Sequence, residues 1–376
     1  MLFIKSRSPC LSALCEGARI VAIFLSIFGR TLIFALALLP GFIPVTLHYF
    51  CSCTRKSVRY GSQSCRQACD VYLPRSGFSS SNAVPVVLFV TGGGWVIGYK
   101  MWGLVMGYVF QRNGILFVSI DYRNYPQATV PTMVADLELA LLWLVENAAA
   151  YGGNPDDISL VGQSAGAHLS ALLLVKQAAR TSDTYAQNYA STSVEESGYA
   201  PPRVVLRRWV GISGVYNLSR LMDDLGNRFG LDEQGAHTRL FERVMGSALP
   251  QASPTQLVQN LGDQGRLQSL LPPLALFHGT ADKTANCEQA REFASALRAV
   301  GCRVHEMYFD GATHTDPILE SPFSGDDPLM VALLAMVTEH ATVESGSTRT
   351  TAAPGALLPR MVPAPMIACA RWVNAF

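Results

Sequence analysis

The chain has 376 residues, 49% of them hydrophobic and only 15% charged, with a formal net charge of +1. Soluble domains carry roughly 25% charged residues, so this deficit points to apolar burial beyond a single core. The near-neutral balance, with no basic run interleaved with aromatics, excludes a general nucleic-acid binder. Nine cysteines match neither a disulfide framework nor a zinc site with partner histidines. No metal is expected, and the thiols are expected free in a reducing compartment.

The apolar excess sits near the N-terminus. From Ile20 to Phe50 the only charged residue is Arg30. Residues 31–50, TLIFALALLPGFIPVTLHYF, are long enough to cross a hydrocarbon core of about 30 Å as a helix, and Pro40, Gly41 and Pro44 are expected to kink it. Ile20–Phe28 is too short to span alone and fits an interfacial stretch or half of a hairpin. A cleaved signal peptide is the competing reading, with Ala35-Leu36-Ala37 as its small-x-small site, but the leader before it is unusually long. A retained anchor fits length and flanks better. Basic residues on both sides (Arg19 and Arg30; Arg55, Lys56 and Arg59) set its orientation only weakly.

From Arg59 the sequence alternates apolar β-branched runs with helical periodicity, predicting an α/β fold with a mostly parallel sheet covered by helices. Strands are expected at Val84–Val90, Gly114–Tyr122 and Ile158–Val161, a helix at Pro131–Ala150, and turn chemistry at Tyr151–Asp157. Thr181–Pro202 reads as a polar surface insertion, and TVESGSTRTTAAPGA as a linker. The expected organisation is an anchoring region at 1–58, a catalytic domain at 59–342, and a linker with a C-terminal element at 343–376.

Gly162-Gln163-Ser164-Ala165-Gly166 fits G-x-S-x-G between a strand and a helix, the setting of a nucleophile elbow. A serine nucleophile needs a base, and the base an orienting carboxylate. Both follow in the order Ser164, Asp282, His314, with Asp282 and His314 in loops just beyond strand ends. His278, His305 and His168 read as structural histidines. Asp310 and Asp316 are carboxylates without the strand–loop–helix setting of Asp282. Gly92-Gly93-Gly94 then fits an oxyanion loop, where side chains would obstruct the carbonyl, with Gly93, Gly94 and Ala165 as backbone donors. Trp95, Gln163 and their neighbours are candidate substrate contacts, Trp95 and Trp102 being equally compatible with core positions.

TGGGWVIGYKMWG, DYRNYPQ, GQSAGAHLS, LPPLALFHGTAD and GATHTD together resemble the isoprenylcysteine alpha-carbonyl methylesterases, in the hormone-sensitive-lipase-like branch of the α/β-hydrolases. LLPGFIPVTLHYF, RKSVRYG and PRMVPAPMIACARWVNAF resemble that family's membrane segment, its exit and its C-terminal element. Thr91 departs from the histidine that opens this loop in many esterases but matches the methylesterases. Residues 230–248, a cap region, diverge and leave the substrate contacts open.

The resemblance implies an α/β-hydrolase with Ser164 as nucleophile, His314 as base and Asp282 as its orienter. It further implies hydrolysis of prenylcysteine methyl esters at endoplasmic reticulum or Golgi membranes, without a cofactor and with the catalytic domain facing the cytosol. A kynurenine-formamidase-like or general carboxylesterase activity would use the same triad. A hydrolase-fold receptor or binding protein is the non-enzymatic alternative, disfavoured by retention of all three residue types.

Overall fold

The computed structural model describes residues 9–75, 83–180, 204–229, 236–261, 266–339 and 357–374. Within them eight strands form one sheet: β1 (Arg55–Arg59), β2 (Ala68–Tyr72), β3 (Val84–Val90), β4 (Leu116–Ile120), β5 (Gly153–Gln163), β6 (Arg208–Ile212), β7 (Leu274–Gly279) and β8 (Val304–Phe309). Their spatial order is β1-β2-β4-β3-β5-β6-β7-β8. The β1–β2 and β2–β4 pairs are antiparallel and the remaining pairs parallel. This is the mostly parallel α/β sheet that the alternation of runs predicts, in the form the resemblance implies.

The described helices are α1 (Pro9–Cys51), α2 (Leu104–Arg112), α3 (Val130–Asn147), α4 (Ala165–Arg180), α5 (Leu218–Phe229), α6 (Ala236–Met245), α7 (Leu249–Ala252), α8 (Pro254–Leu261), α9 (Arg266–Leu270), α10 (Glu288–Ala299), α11 (Glu320–Ser324), α12 (Pro328–Thr338) and α13 (Ala364–Val373). Strand β3 shows why its sequence is a continuous apolar run. Val86, Leu88 and Val90 point into one core with α3, α4 and α10, whereas Val87 and Phe89 point into a second core with α1, α2, α12 and α13. Side chains alternate between faces, and both faces are covered.

Two local expectations change. Strand β5 begins at Gly153, inside the stretch read as a turn, because Gly153 pairs with Val84 through a register irregularity before the regular ladder resumes at Val86–Ile158. The turn is a short 3-10 helix, Ala148–Tyr151, capped by Gly152 in the left-handed region at φ 82°. The boundary at residue 59 also falls at the last residue of β1, so 55–59 belong to the sheet. The insertion at 181–202 and the linker TVESGSTRTTAAPGA lie outside the described residues.

Helix α1 is continuous through both N-terminal apolar runs, with Pro40 and Pro44 inside it. Phe34, Ala37, Leu38, Val45 and Tyr49 are buried against the second core. Gly41 permits close docking: a Cβ there would lie 2.6 Å from the ring of Phe323. Leu32, Ile33, Leu36, Leu39, Ile43, Leu47 and Phe50 form an exposed apolar stripe. Both ends of this stripe are tied down, Arg30 donating to the carbonyls of Val373 and Asn374 (2.9 Å each) and Tyr49 to Asp70 (2.5 Å).

Candidate active site

Ser164 stands between the last residue of β5 and the first of α4, with φ 53°, a left-handed conformation that a side-chain-bearing residue adopts only when its surroundings impose it. Those surroundings are visible. The Ser164 amide donates to Ile212 O (2.9 Å) and the His168 amide to Ser164 O (3.1 Å). Helix and sheet meet so closely that a Cβ on Gly166 would lie 2.1 Å from Val90 O. The G-x-S-x-G spacing thus encodes a turn that lifts Ser164 Oγ above the parallel strands.

Loops from β7 and β8 bring the other two residues to it. His314 Nε2 lies 2.9 Å from Ser164 Oγ, and His314 Nδ1 lies 2.7 Å from Asp282 Oδ2. All three side chains are largely buried. The second carboxylate oxygen, Asp282 Oδ1, accepts the amides of Thr284 and Ala285 at 2.9 Å each. Burial alone would raise the Asp282 carboxyl. Electrostatic attraction to the His314 ring and hydrogen bonds from His278 and His314 together outweigh it and hold the group well below the ordinary carboxylate range. Asp282 is therefore ionised, which fixes a proton on His314 Nδ1 and leaves Nε2 to accept from Ser164.

His278, read as packing, is fully buried but also touches this carboxylate: its Nε2 is 2.7 Å from Ala285 O and 3.3 Å from Asp282 Oδ2. Its place four residues before Asp282, at the end of a strand, was the available signal. His305 lies on β8, away from the triad contacts. Asp310 accepts from Thr280, and Asp316 pairs with Arg371.

The glycine loop abuts the serine. A Cβ on Gly92 would fall 2.9 Å from Ser164 Cβ and 2.3 Å from Gln163 Oε1. Gly93 and Gly94 both have positive φ (124° and 57°). The amides of Val96 and Ile97 close the turn on Gly93 O. The DYRN segment then clamps the loop from behind. Tyr122 donates to Thr91 O (3.0 Å), Asn124 to Gly98 O (2.7 Å), and Arg66 reaches the same Gly98 carbonyl while pairing with Asp121 at 3.1 Å. Lys100 is buried on Asp70 at 2.6 Å.

Gln163 is buried beside Gly92, and Trp95 is only 4% exposed. The indole of Trp95 donates to His168 Nδ1 (3.1 Å) and its ring meets Phe241 edge-on. Trp95 thus occupies a core position, and the loop's exposed apolar side chains are Val96, Ile97, Tyr99 and Trp102.

His168 has the structural role its helical setting implies. Nδ1 accepts from Trp95 and Nε2 lies 2.8 Å from Ala252 O, an arrangement of the neutral ring. Burial pushes its pKa down from 6.5 to about 4. Between those values only the unfolded chain takes the proton. The contribution is fully present above pH 6.5 and is lost as pH falls, the loss reaching about 3 kcal/mol at pH 4. Replacing His168 with glutamine should remove this acid-side slope. In urea unfolding, the gap between wild type and variant should narrow between pH 7 and pH 4. Parallel stability curves would contradict it.

The BD-FAE family model matches residues 69–297. Solved esterases share the fold: esterase 2 from Thermogutta terrifontis at 24% identity and TM-score 0.51, covering 70% of this chain and 84% of that one, and esterase B from Lactobacillus rhamnosis at 18% and 0.55, covering 77% and 89%. The fold and the serine–histidine–aspartate constellation define an α/β-hydrolase. Among curated proteins, isoprenylcysteine alpha-carbonyl methylesterase ICME from Arabidopsis thaliana is 35% identical over 91% of this chain and 75% of its own length. The probable methylesterase ICMEL1 from Oryza sativa subsp. japonica is 38% identical over 90% and 75%. The chain belongs to the isoprenylcysteine alpha-carbonyl methylesterase family.

Proposed function

We propose that this chain is a membrane-attached serine esterase that converts C-terminal prenylcysteine methyl esters to the free carboxylate and methanol. The observation that carries the reading is the hydrogen-bonded line from Asp282 through His314 to Ser164 beside the glycine loop. In this mechanism His314 Nε2 takes the Ser164 proton as Oγ attacks the ester carbonyl. Asp282 stabilises the imidazolium, and the amides of Gly93, Gly94 and Ala165 take the oxyanion. Ala165 suits this role because the first amides of a helix have no partner within it. Methanol leaves with the proton from His314. Water then attacks the acyl-enzyme by the same route in reverse.

The family relationship supports the choice of ester. The exposed apolar side chains at Val96, Ile97, Tyr99 and Trp102 support an isoprenoid contact beside the reacting carbon. Membrane attachment is supported by Gly29–Cys51, whose mean hydropathy is 1.8, and by the outward stripe of α1. Since one end of that stretch bonds to the C-terminal element and the other to strand β2, the attachment we favour lays the stripe along the lipid surface. Prenyl groups partition into the same surface at about 0.8 kcal/mol per buried CH₂.

We place the catalytic domain on the cytosolic side of endoplasmic reticulum or Golgi membranes, where prenylated C-termini are found. Asn217-Leu218-Ser219 is a glycosylation acceptor. It should stay unmodified on expression in eukaryotic cells, and a glycan at Asn217 would put the domain in the lumen. The enzymatic test is incubation of purified protein with S-farnesylcysteine methyl ester. Equal amounts of methanol and S-farnesylcysteine are expected. Faster cleavage of N-formylkynurenine would turn the assignment toward a formamidase.

A further inference from the structure

The loop that carries His314 is held by the opposite end of the chain. Asn374 immediately follows α13 and is buried. Its Nδ2, with two hydrogens to donate, lies within hydrogen-bond distance of Thr313 Oγ1 (3.0 Å) and Thr315 Oγ1 (2.8 Å), the residues on either side of His314, and of Glu320 Oε1 (2.8 Å). One turn earlier, Arg371 clamps the buried carboxylate of Asp316, with Nε 3.1 Å from both oxygens and Nη2 2.8 Å from Oδ1. Asp316 in turn accepts the Thr313 amide (3.4 Å) and the Ser321 hydroxyl (3.0 Å). Arg30 of α1 completes the clasp by binding the carbonyls of Val373 and Asn374. Four consecutive loop residues are thereby spanned by partners from a helix that lies beyond the linker.

We infer that Asn374 is a positioning residue for His314, with Arg371 anchoring the same loop through Asp316; the inference rests on Ser164 and His314 acting as nucleophile and base. The triad needs Nε2 within hydrogen-bond reach of Ser164 Oγ while Nδ1 stays on Asp282, and a displacement of about 1 Å in such a pair lowers rate on the order of a hundredfold. The Asn374 amide bonds to both neighbours of His314 and so fixes where the imidazole starts. It touches no reacting atom. Losing it should therefore lower kcat while leaving ground-state binding of the ester alone.

The test uses the full detergent-solubilised chain. Active sites are counted with a chromogenic phosphonate ester that labels the nucleophilic serine, and kcat per labelled site and KM are then measured on one methyl ester. For Asn374→Ala, kcat per site should fall about ten- to a hundredfold with KM within about twofold of wild type. Trp372→Ala, on the same helix with its side chain 83% exposed, should leave both unchanged. An Asn374→Ala enzyme with wild-type kcat per site overturns the inference, whether its sites are all titratable or partly lost to misfolding. Should that variant not be recovered folded, Thr315→Val keeps the shape of the loop and removes one hydroxyl that Asn374 binds, and the same split decides. Wild-type protein labelled elsewhere than Ser164 would instead refute the triad beneath it.

Discussion

Ser164→Ala is expected to lower methyl ester hydrolysis by about three to six orders of magnitude, and His314→Ala by a similar factor, because triad members act as a unit. In the proposed mechanism Ser164 Oγ forms the acyl bond, and no neighbouring hydroxyl stands at hydrogen-bond distance from His314 Nε2 among the described contacts. What survives is the activity that a glycine loop and a bound substrate provide without a nucleophile. Asp282→Asn should cost about ten-thousandfold. The amide can still accept the amides of Thr284 and Ala285, but as a donor toward His314 Nδ1 it would select the wrong tautomer. All three variants should still unfold cooperatively at temperatures above that of the assay, so that the losses are not those of an unfolded chain. Near-normal turnover by Ser164→Ala would remove the mechanism.

The parts of this site that could be read from sequence are those encoded in local backbone. Gly162 to Gly166 spell a sharp strand–helix turn, and three consecutive glycines spell a loop that approaches bare backbone. Asp282 and His314 announce themselves by following apolar strands in the right order. Pairings between distant segments left no such trace. Asn374 meets Thr313 and Thr315 across 61 and 59 residues, and the intervening linker composition suggested a separate appendage. The approach of His278 to Asp282 depends on how the loop after β7 folds back. Trp95 was ambiguous because an aromatic beside a glycine loop suits a pocket and a core equally, and only its bond to His168 decides. In α1 the apolar residues surround the helix, so no periodicity distinguishes the face that packs on Phe323 from the stripe left outside.

The triad and glycine loop specify acyl transfer and leave the identity of the acyl group to other contacts. Burying part of an isoprenoid against the apolar side chains of the Val96–Trp102 loop should contribute a few kcal/mol to transition-state binding, about a hundredfold or more in kcat/KM. The direct measurement compares kcat/KM for S-farnesylcysteine methyl ester with that for the same cysteine methyl ester lacking the prenyl group. Detergent-solubilised enzyme is required, so that shared partitioning into a bilayer does not imitate recognition. A preference of at least about a hundredfold for the prenylated ester is expected. Equal kcat/KM for the two would contradict the methylesterase assignment while leaving the α/β-hydrolase fold intact.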